Sequence, residues 1–319
     1  VTKANALTDV PGVKVGHKTL IEGSSVRTGV TAILPHGGNL FQEKVIGAAH
    51  VINGFGKTTG LVQLEELGVI ESPIMLTNTF SVPAVTEGVL QHLFSRNEDI
   101  GVETGTVNTI VGECNDGYLN DIRGLRVRAD DAIDAIESAG TDVAEGSVGA
   151  GTGMSCFGYK GGIGTSSRVV GDYTVGVLVL SNFGQKEDLL GGDESKGEEP
   201  DGSIMMIVGT DAPLNERQLK RVARRTTFGL ARTGSYAAYG SGDIAIAFST
   251  AHSIPHHCEQ PLQRFEFVRE ASITPLFEAT VEATEEAIWN SLAMAGDMIG
   301  RNGHERKALD LERLIRRWG

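Results

Sequence analysis

Glycine constrains this chain more than any other feature: 42 of its 319 residues have no side chain. That is about 13%, against an ordinary level of about 7%. No Gly-X-Y period runs through them, so a collagen-like triple helix is out. Each glycine either permits a turn with positive φ or lets a second backbone come close. Spread between short apolar runs, they suit a compact α/β or β-rich enzyme. A chain of this length can bury a sizeable core without disulfide or metal staples.

The apolar runs suggest both strands and helices. Val13–Val15 and Val30–Leu34 read as strands, the second ending in the turn signal Pro35-His36-Gly37-Gly38. Leu61, Leu64 and Leu67 recur at helical spacing, with Gly68 as C-cap. Val82, Val85, Val89 and Leu93 form a second helical stripe with Pro83 near its start. Ala132, Ile133 and Ile136 mark a third, with Asp130 and Asp131 at its positive end. Tyr173–Leu180, Ser203–Val208 and Ile244–Phe248 read as buried strands. Asp211 is expected to cap a helix with Pro213 in its first turn and Leu219, Val222 and Ala223 inward. A long helix is expected over Pro275–Met294 and a short basic one near Leu309–Trp318. Between two of the strands, Gln185–Asp201 is a polar, acidic stretch expected to be an exposed loop. No internal repeat and no sharp change of composition appears, so residues 1–319 are expected to form a single domain.

Charge and cysteine narrow the partners. Twenty-eight basic against 41 acidic residues leave a net charge of −13. Phosphate backbones and anionic lipid are repelled by such a surface, which argues against nucleic acid and membrane partners. No apolar run approaches the roughly 18 residues of a membrane span. Cys114, Cys156 and Cys258 are widely spaced, and no CxxC occurs, so neither a zinc ribbon nor a disulfide framework is expected. With no apolar signal region at the start, the cytoplasm is the expected compartment. The periplasm stays open because the sequence does not begin with Met.

Familiar site motifs mostly fail. Gly54-Phe-Gly-Lys57-Thr58 suggests a phosphate loop, but Val51 stands where its first glycine belongs and no convincing strand precedes it. The glycines at 149–164 never satisfy GxGxxG, and crowding of backbone around a site is the more natural reading. His252, His256 and His257 are interrupted by Pro255, and no carboxylate lies at ligand spacing before Glu259, so a polar loop is expected there rather than a metal site. No clear GxSxG accompanies a histidine, so a hydrolase triad fails too.

Asp201-Gly202-Ser203 is different. A serine opens a buried strand just after an acidic loop, while Asn182 ends one strand and Ser241 and Asp243 begin another. Polar groups at strand ends can converge on one sheet edge. A hydroxyl nucleophile needs a base and an oxyanion holder. If the Gly202–Ser203 bond is cut, Ser203 carries its own base: an α-amine, with a pKa of about 7.7–8.0.

At these residues the sequence resembles the self-processing aminopeptidases that include L-aminopeptidase/D-esterase and the β-peptidyl aminopeptidases. The matching blocks run along nearly the whole chain. They are Leu7-Thr-Asp-Val-Pro-Gly-Val-Lys-Val-Gly-His17, Gly112-Glu-Cys-Asn-Asp-Gly-Tyr-Leu-Asn-Asp121, Phe157-Gly-Tyr-Lys-Gly-Gly-Ile-Gly-Thr-Ser-Ser-Arg168, Ser181–Gly184, Gly202-Ser203, Thr210–Leu214 and Gly240–Asp243. The resemblance implies an α/β fold, a four-layer αββα sandwich like that of N-terminal-nucleophile hydrolases but differently connected. It implies autocatalytic cleavage between Gly202 and Ser203, giving an α chain of 1–202 and a β chain of 203–319. Ser203 matches the nucleophile, Asn182 the oxyanion residue, and Ser241 the hydroxyl that assists proton transfer. Tyr118 takes the place of the family's active-site tyrosine. Asp243 stands where the family has Glu, one methylene shorter. Charge logic adds Glu113 as the partner of a substrate ammonium. The implied protein hydrolyses N-terminal residues from short peptides, amides or esters without metal or organic cofactor, as a homotetramer of processed units. Whether L-α, D or β-amino residues are preferred stays open. An ornithine acetyltransferase-like acyl transferase and a related amide hydrolase are alternatives, although both favour threonine nucleophiles. An unprocessed binding protein is a third.

Overall fold

The computed structural model describes residues 4–189 and 202–310. The first third of the chain gives β1 (Lys14–Glu22), β2 (Val26–Leu34), β3 (Glu43–Gly54), α1 (Leu61–Leu67), β4 (Val69–Ile70), β5 (Ile74–Asn78) and α2 (Val82–Phe94). The middle gives β6 (Ile110–Cys114), α3 (Ala129–Glu137), the hairpin β7 (Ser155–Cys156) and β8 (Tyr159–Lys160), β9 (Gly162–Val170) and β10 (Tyr173–Asn182). Then come β11 (Ser203–Thr210), α4 (Glu216–Ala223), α5 (Thr226–Arg232), β12 (Gly242–Pro255) and α6 (Thr274–Ala293).

The two large sheets among the described residues have the orders β1-β2-β5-β6 and β4-β3-β12-β11-β10-β9. Pairing is antiparallel except for β5 with β6 and β11 with β12. Three apolar clusters fill the spaces between layers. Val85, Val89, Ala132 and Ile136 of α2 and α3 pack on Val30, Ala32 and Met75 of the smaller sheet. Ile33, Ile74, Leu76 and Ile110 of that sheet meet Leu178, Met205, Ile207 and Ile246 of the larger one. The outer face of the larger sheet, Val177, Val179, Met206 and Ala247, receives Leu219 of α4, Leu230 of α5, and Ala283 and Ala287 of α6. The result is the αββα layering. Strands such as β10 and β11 lie between two layers, so their apolar residues run without alternation. Each fully buried Val, Leu or Ile contributes roughly 1.5–3 kcal/mol.

Glycine lets both helical layers sit directly on their sheets. A Cβ on Gly16 of β1 would lie 2.1 Å from the Ala135 carbonyl oxygen of α3. A Cβ on Gly164 of β9 would lie 1.9 Å from the Ala287 carbonyl oxygen of α6. Either contact is impossible for a real side chain, so the close packing requires glycine at both points.

Some expectations shift. The first strand runs to Glu22, far past Val15. The Leu61–Leu67 helix ends at Gly68 in the left-handed region, as its spacing suggests. Helix α4 starts later than expected. Asn215 caps it by accepting from Gln218 N at 2.9 Å, while Gln218 Oε1 accepts from Asn215 N at 3.1 Å. This reciprocal box outcompetes Asp211, whose Oδ1 instead accepts from Thr174 N at 2.6 Å. A strand does precede Gly54: the twelve residues of β3. Gly47, Ala48, Ala49 and His50 interrupt its Val45-Ile46 and Val51-Ile52 pairs, so no regular apolar run marks it. Of the expected acidic loop, residues 190–201 lie outside the described residues, as do 311–318 of the expected basic helix.

Candidate active site

Four strand ends meet at one edge of the larger sheet. Ser203, the first residue of β11, pairs with Asn182, the last of β10. On its other side it pairs with Gly242, the first residue of β12. Asp243 in turn pairs with Asn53 near the end of β3. Register alone therefore brings Asn182, Ser203, Ser241, Asp243 and Asn53 together.

The hydrogen bonds around Ser203 are directional. Its hydroxyl donates to the Gly202 carbonyl oxygen at 2.7 Å and accepts from Gly242 N at 3.3 Å. Gly242 N also lies 3.1 Å from that same carbonyl oxygen, as a donor. Asn53 Nδ2 donates to Ser241 Oγ at 3.1 Å and to the Ala238 carbonyl oxygen at 2.6 Å. An amide NH₂ can only donate, so the Ser241 proton is directed to Asp243 Oδ2, with which it is hydrogen-bonded. The shorter carboxylate thus still reaches Ser241. Asp243 is 1% exposed, and burial pushes its carboxyl up to about 6 from the ordinary 3.8, against the lowering effect of hydrogen bonds from Ser241 and the Ile204 N–H. Asn182 Oδ1 is occupied by Ser155 N at 2.9 Å, so only the NH₂ end of this amide can serve an oxyanion.

Beside Ser203 opens a cleft of about 70 Å³, lined by Phe55, Lys57, Thr79, Glu113, Asn115, Gly202 and Gly240. Glu113, on β6 of the other sheet, is 3% exposed. Its Oε1 accepts from Lys57 N at 2.8 Å, and its Oε2 accepts from the Thr79 hydroxyl. The carboxylate is thereby fixed on the cleft wall. A roomier cavity of about 250 Å³ lies elsewhere, beside Lys14, His92 and Arg96, with no serine, threonine or cysteine in its lining.

Two sequence expectations change. Tyr118 does not line the cleft. It is 39% exposed, its ring stacked on His304 with centroids 4.7 Å apart and the Arg306 guanidinium 3.4 Å above it. Asn115, three residues earlier, lines the cleft instead. The turn after β6 separates the two positions. The glycines at 149–164 are mostly packing points between layers, and only the adjoining Ser155 touches the site, through Asn182. Asn53 and Thr79 belong to no motif, Lys57 is seen only within the failed phosphate-loop pattern and Asn115 only within a family block, so sheet pairing and loop closure are what gather them at the cleft.

The histidines of 252–257 also acquire a distant neighbour. Asp99 joins His256 and His257, with donor atoms within 4.8 Å of one another. Sequence spacing offered no carboxylate there; tertiary folding supplies one. However, the Lys44 ammonium lies 3.2 Å from His256 Nδ1, which must accept from it, and His256 Nε2 lies 2.7 Å from Thr104 Oγ1. Both ring nitrogens are engaged. His252 stands apart, its Nε2 2.8 Å from the Glu266 carbonyl oxygen.

Similarity to known proteins agrees with this geometry. Residues 5–306 match Peptidase family S58. The chain is 41% identical to beta-peptidyl aminopeptidase BapA of Sphingosinicella microcystinivorans, over 94% of this chain and 84% of that protein. Its structure superposes on that of the PH0078 protein from Pyrococcus horikoshii OT3 with a TM-score of 0.95 and 55% identity, covering 99% of this chain and 95% of the other. It superposes on the L-aminopeptidase D-Ala-esterase/amidase of Ochrobactrum anthropi, a serine aminopeptidase described as a variant of the Ntn hydrolase fold, with a TM-score of 0.91 and 36% identity, covering 99% and 94%. The family match over most of the chain and these relatives point the same way: the chain belongs to peptidase family S58 and is a serine aminopeptidase.

Proposed function

We propose that the chain cleaves itself between Gly202 and Ser203 and then works as an N-terminal-serine aminopeptidase on short peptides, amides or esters. The observation that carries this reading is the contact of Ser203 with its own preceding carbonyl, with Gly242 N–H as a donor to the same oxygen. In processing, Ser203 Oγ attacks the Gly202 carbonyl carbon, and Gly242 N–H stabilises the oxygen as it gains charge. Collapse transfers the acyl group from nitrogen to oxygen, and water hydrolyses the ester. Residues 1–202 leave as the α chain, and Ser203 heads the β chain with a free amine.

In turnover, Ser203 Oγ attacks the carbonyl carbon of a bound substrate and its α-amine takes the hydroxyl proton. Gly242 N–H and the Asn182 NH₂ hold the oxyanion. The leaving amine departs with a proton, and an ester to Ser203 remains until water releases the acid. The Ser241–Asp243 pair, oriented by Asn53, supplies the hydroxyl that assists these proton movements. Glu113 takes the substrate's ammonium, which makes the enzyme an aminopeptidase rather than an endopeptidase. The named relatives support L-α and β-amino residues alike as the residue removed. No helix among the described residues is long and apolar enough to cross a membrane. A homotetramer would cover exposed side chains such as Val62 and Phe228.

Denaturing electrophoresis with mass spectrometry tests the core of this. A fragment beginning at Ser203 is expected, absent in Ser203→Ala together with hydrolysis of L-alanyl and β-alanyl anilides. An intact wild-type chain after prolonged incubation would refute self-processing.

A further inference from the structure

The cleft beside Ser203 carries a second charge that the chemistry above leaves unused. Lys57 lines it, and its backbone N–H anchors Glu113. Its side chain turns outward, with Nζ 4.3 Å from the centroid of the Phe55 ring. Phe55 is itself 60% exposed, so the two side chains sit at the mouth. Among the described residues Lys57 forms no ion pair with a carboxylate. On a chain of net charge −13, an unpaired ammonium at the rim of the active cleft is a local reversal of sign.

We infer that Lys57, backed by Phe55, forms a subsite for the free C-terminal carboxylate of a dipeptide. The inference rests on the reading of Ser203 as nucleophile and Glu113 as ammonium anchor. Glu113 is buried at the inner wall, so the substrate's amino end lies inside and its other end at the mouth. Two extended residues span roughly 7 Å, which puts a dipeptide's carboxylate within reach of a lysine side chain rooted beside Glu113. A longer peptide, an amide or an anilide offers a neutral group there. The cleft thus has an anion for the ammonium and a cation for the carboxylate, matching a zwitterion. The aromatic face lowers the cost of holding the ammonium in place between substrates.

The test compares L-alanyl-L-alanine with L-alanyl-L-alaninamide, and the β-alanyl pair in the same way. The wild type is expected to favour each acid over its amide in kcat/KM by roughly three- to fivefold, through KM, with the preference shrinking as salt rises. Lys57→Gln brings the acid-to-amide ratio to about one, and Lys57→Arg restores it. A wild-type ratio of one overturns the assignment. So does a Lys57→Gln loss shared equally by acid and amide, which would mark a structural lysine. Absence of turnover on all four compounds would instead defeat the Ser203 reading, and this inference with it.

Discussion

Strands β3 and β12 carry a polar cluster at each end of their shared ladder, and the two clusters differ in what they leave open. At one end, Asn53 pairs with Asp243 and holds Ser241. At the other, Lys44 pairs with Ile254 and lies against His256. The Lys44 cluster is closed: its ammonium donates to the Phe41 carbonyl oxygen at 2.7 Å, pairs with Glu71 at 3.1 Å and reaches His256. The other nitrogen of His256 is used by Thr104. Burial and the Lys44 charge hold His256 below its ordinary pKa, so it stays neutral. The Ser203 end is satisfied too, but its donors converge on a carbonyl beside an open cleft. A buried network with every member paired rigidifies a fold. One whose donors face a space where charge can develop can catalyse.

Substitutions at the two ends sharpen this contrast. Ser203→Ala is expected to have the largest effect, a loss of about 10³-fold or more in turnover, alongside the loss of processing. Asp243→Asn comes next, at about 10²-fold in kcat. Its pH signature is specific. The free α-amine of Ser203 sets a first acid limb at about 7.7–8.0 in both forms. Activity also needs the carboxylate that receives the Ser241 proton, so the wild-type rate falls more steeply as pH drops through about 6, and the variant loses only that second step. Stability moves the other way. The folded pKa lies above the unfolded value, so the fold binds more protons between about 4 and 6 and loses stability as pH rises through that window. A rate profile that kept the second step near 6 in the variant would remove Asp243 from the mechanism.

Asn53→Ala is expected to lower kcat about tenfold, equivalent to about 1.4 kcal/mol, with little change in KM. The Ser241 hydroxyl then loses the donor that fixes its direction. A KM effect without a kcat effect would place Asn53 in substrate binding. The smallest catalytic effect is expected at the closed end. His256→Ala should leave kcat/KM intact and cost about 0.5–1.5 kcal/mol in denaturant unfolding, because Lys44 and Thr104 each lose a half-buried hydrogen-bond partner while Lys44 keeps Phe41 and Glu71. Added Zn²⁺ should not raise the melting temperature of the wild type. A metal-dependent rise abolished by His256→Ala would show that the closed reading of this cluster is wrong.

The sequence showed its regular, apolar elements well. Helices α1, α2, α3 and α6 follow their periodicity because each lays one face on a sheet, and β10 and β11 follow their unbroken apolar runs because they are covered on both faces. What it concealed has a common cause. Strand β3 has its Val45-Ile46 and Val51-Ile52 pairs split by Gly47, Ala48, Ala49 and His50, so no alternating or unbroken apolar run marks it, and Asn53 at its end goes unmarked too. The Asp211 cap failed because the Asn215–Gln218 box satisfies two donors where Asp211 would satisfy one. Tyr118 was placed by local likeness, but the turn after β6 decides which side chain faces the cleft, and it presents Asn115.

The sequence by itself determined the nucleophile candidate, the residues flanking it and the family, because those are carried by ordered local blocks. Its glycine content also foretold close packing, though not where it falls. Only the tertiary structure decided that Gly16 and Gly164 are where helices press on sheets, that Glu113 comes from the opposite sheet, and that Asn53 sets the direction of the Ser241 hydrogen bond. These are long-range contacts made by strand register and sheet stacking, and no local pattern encodes which distant residue will stand opposite.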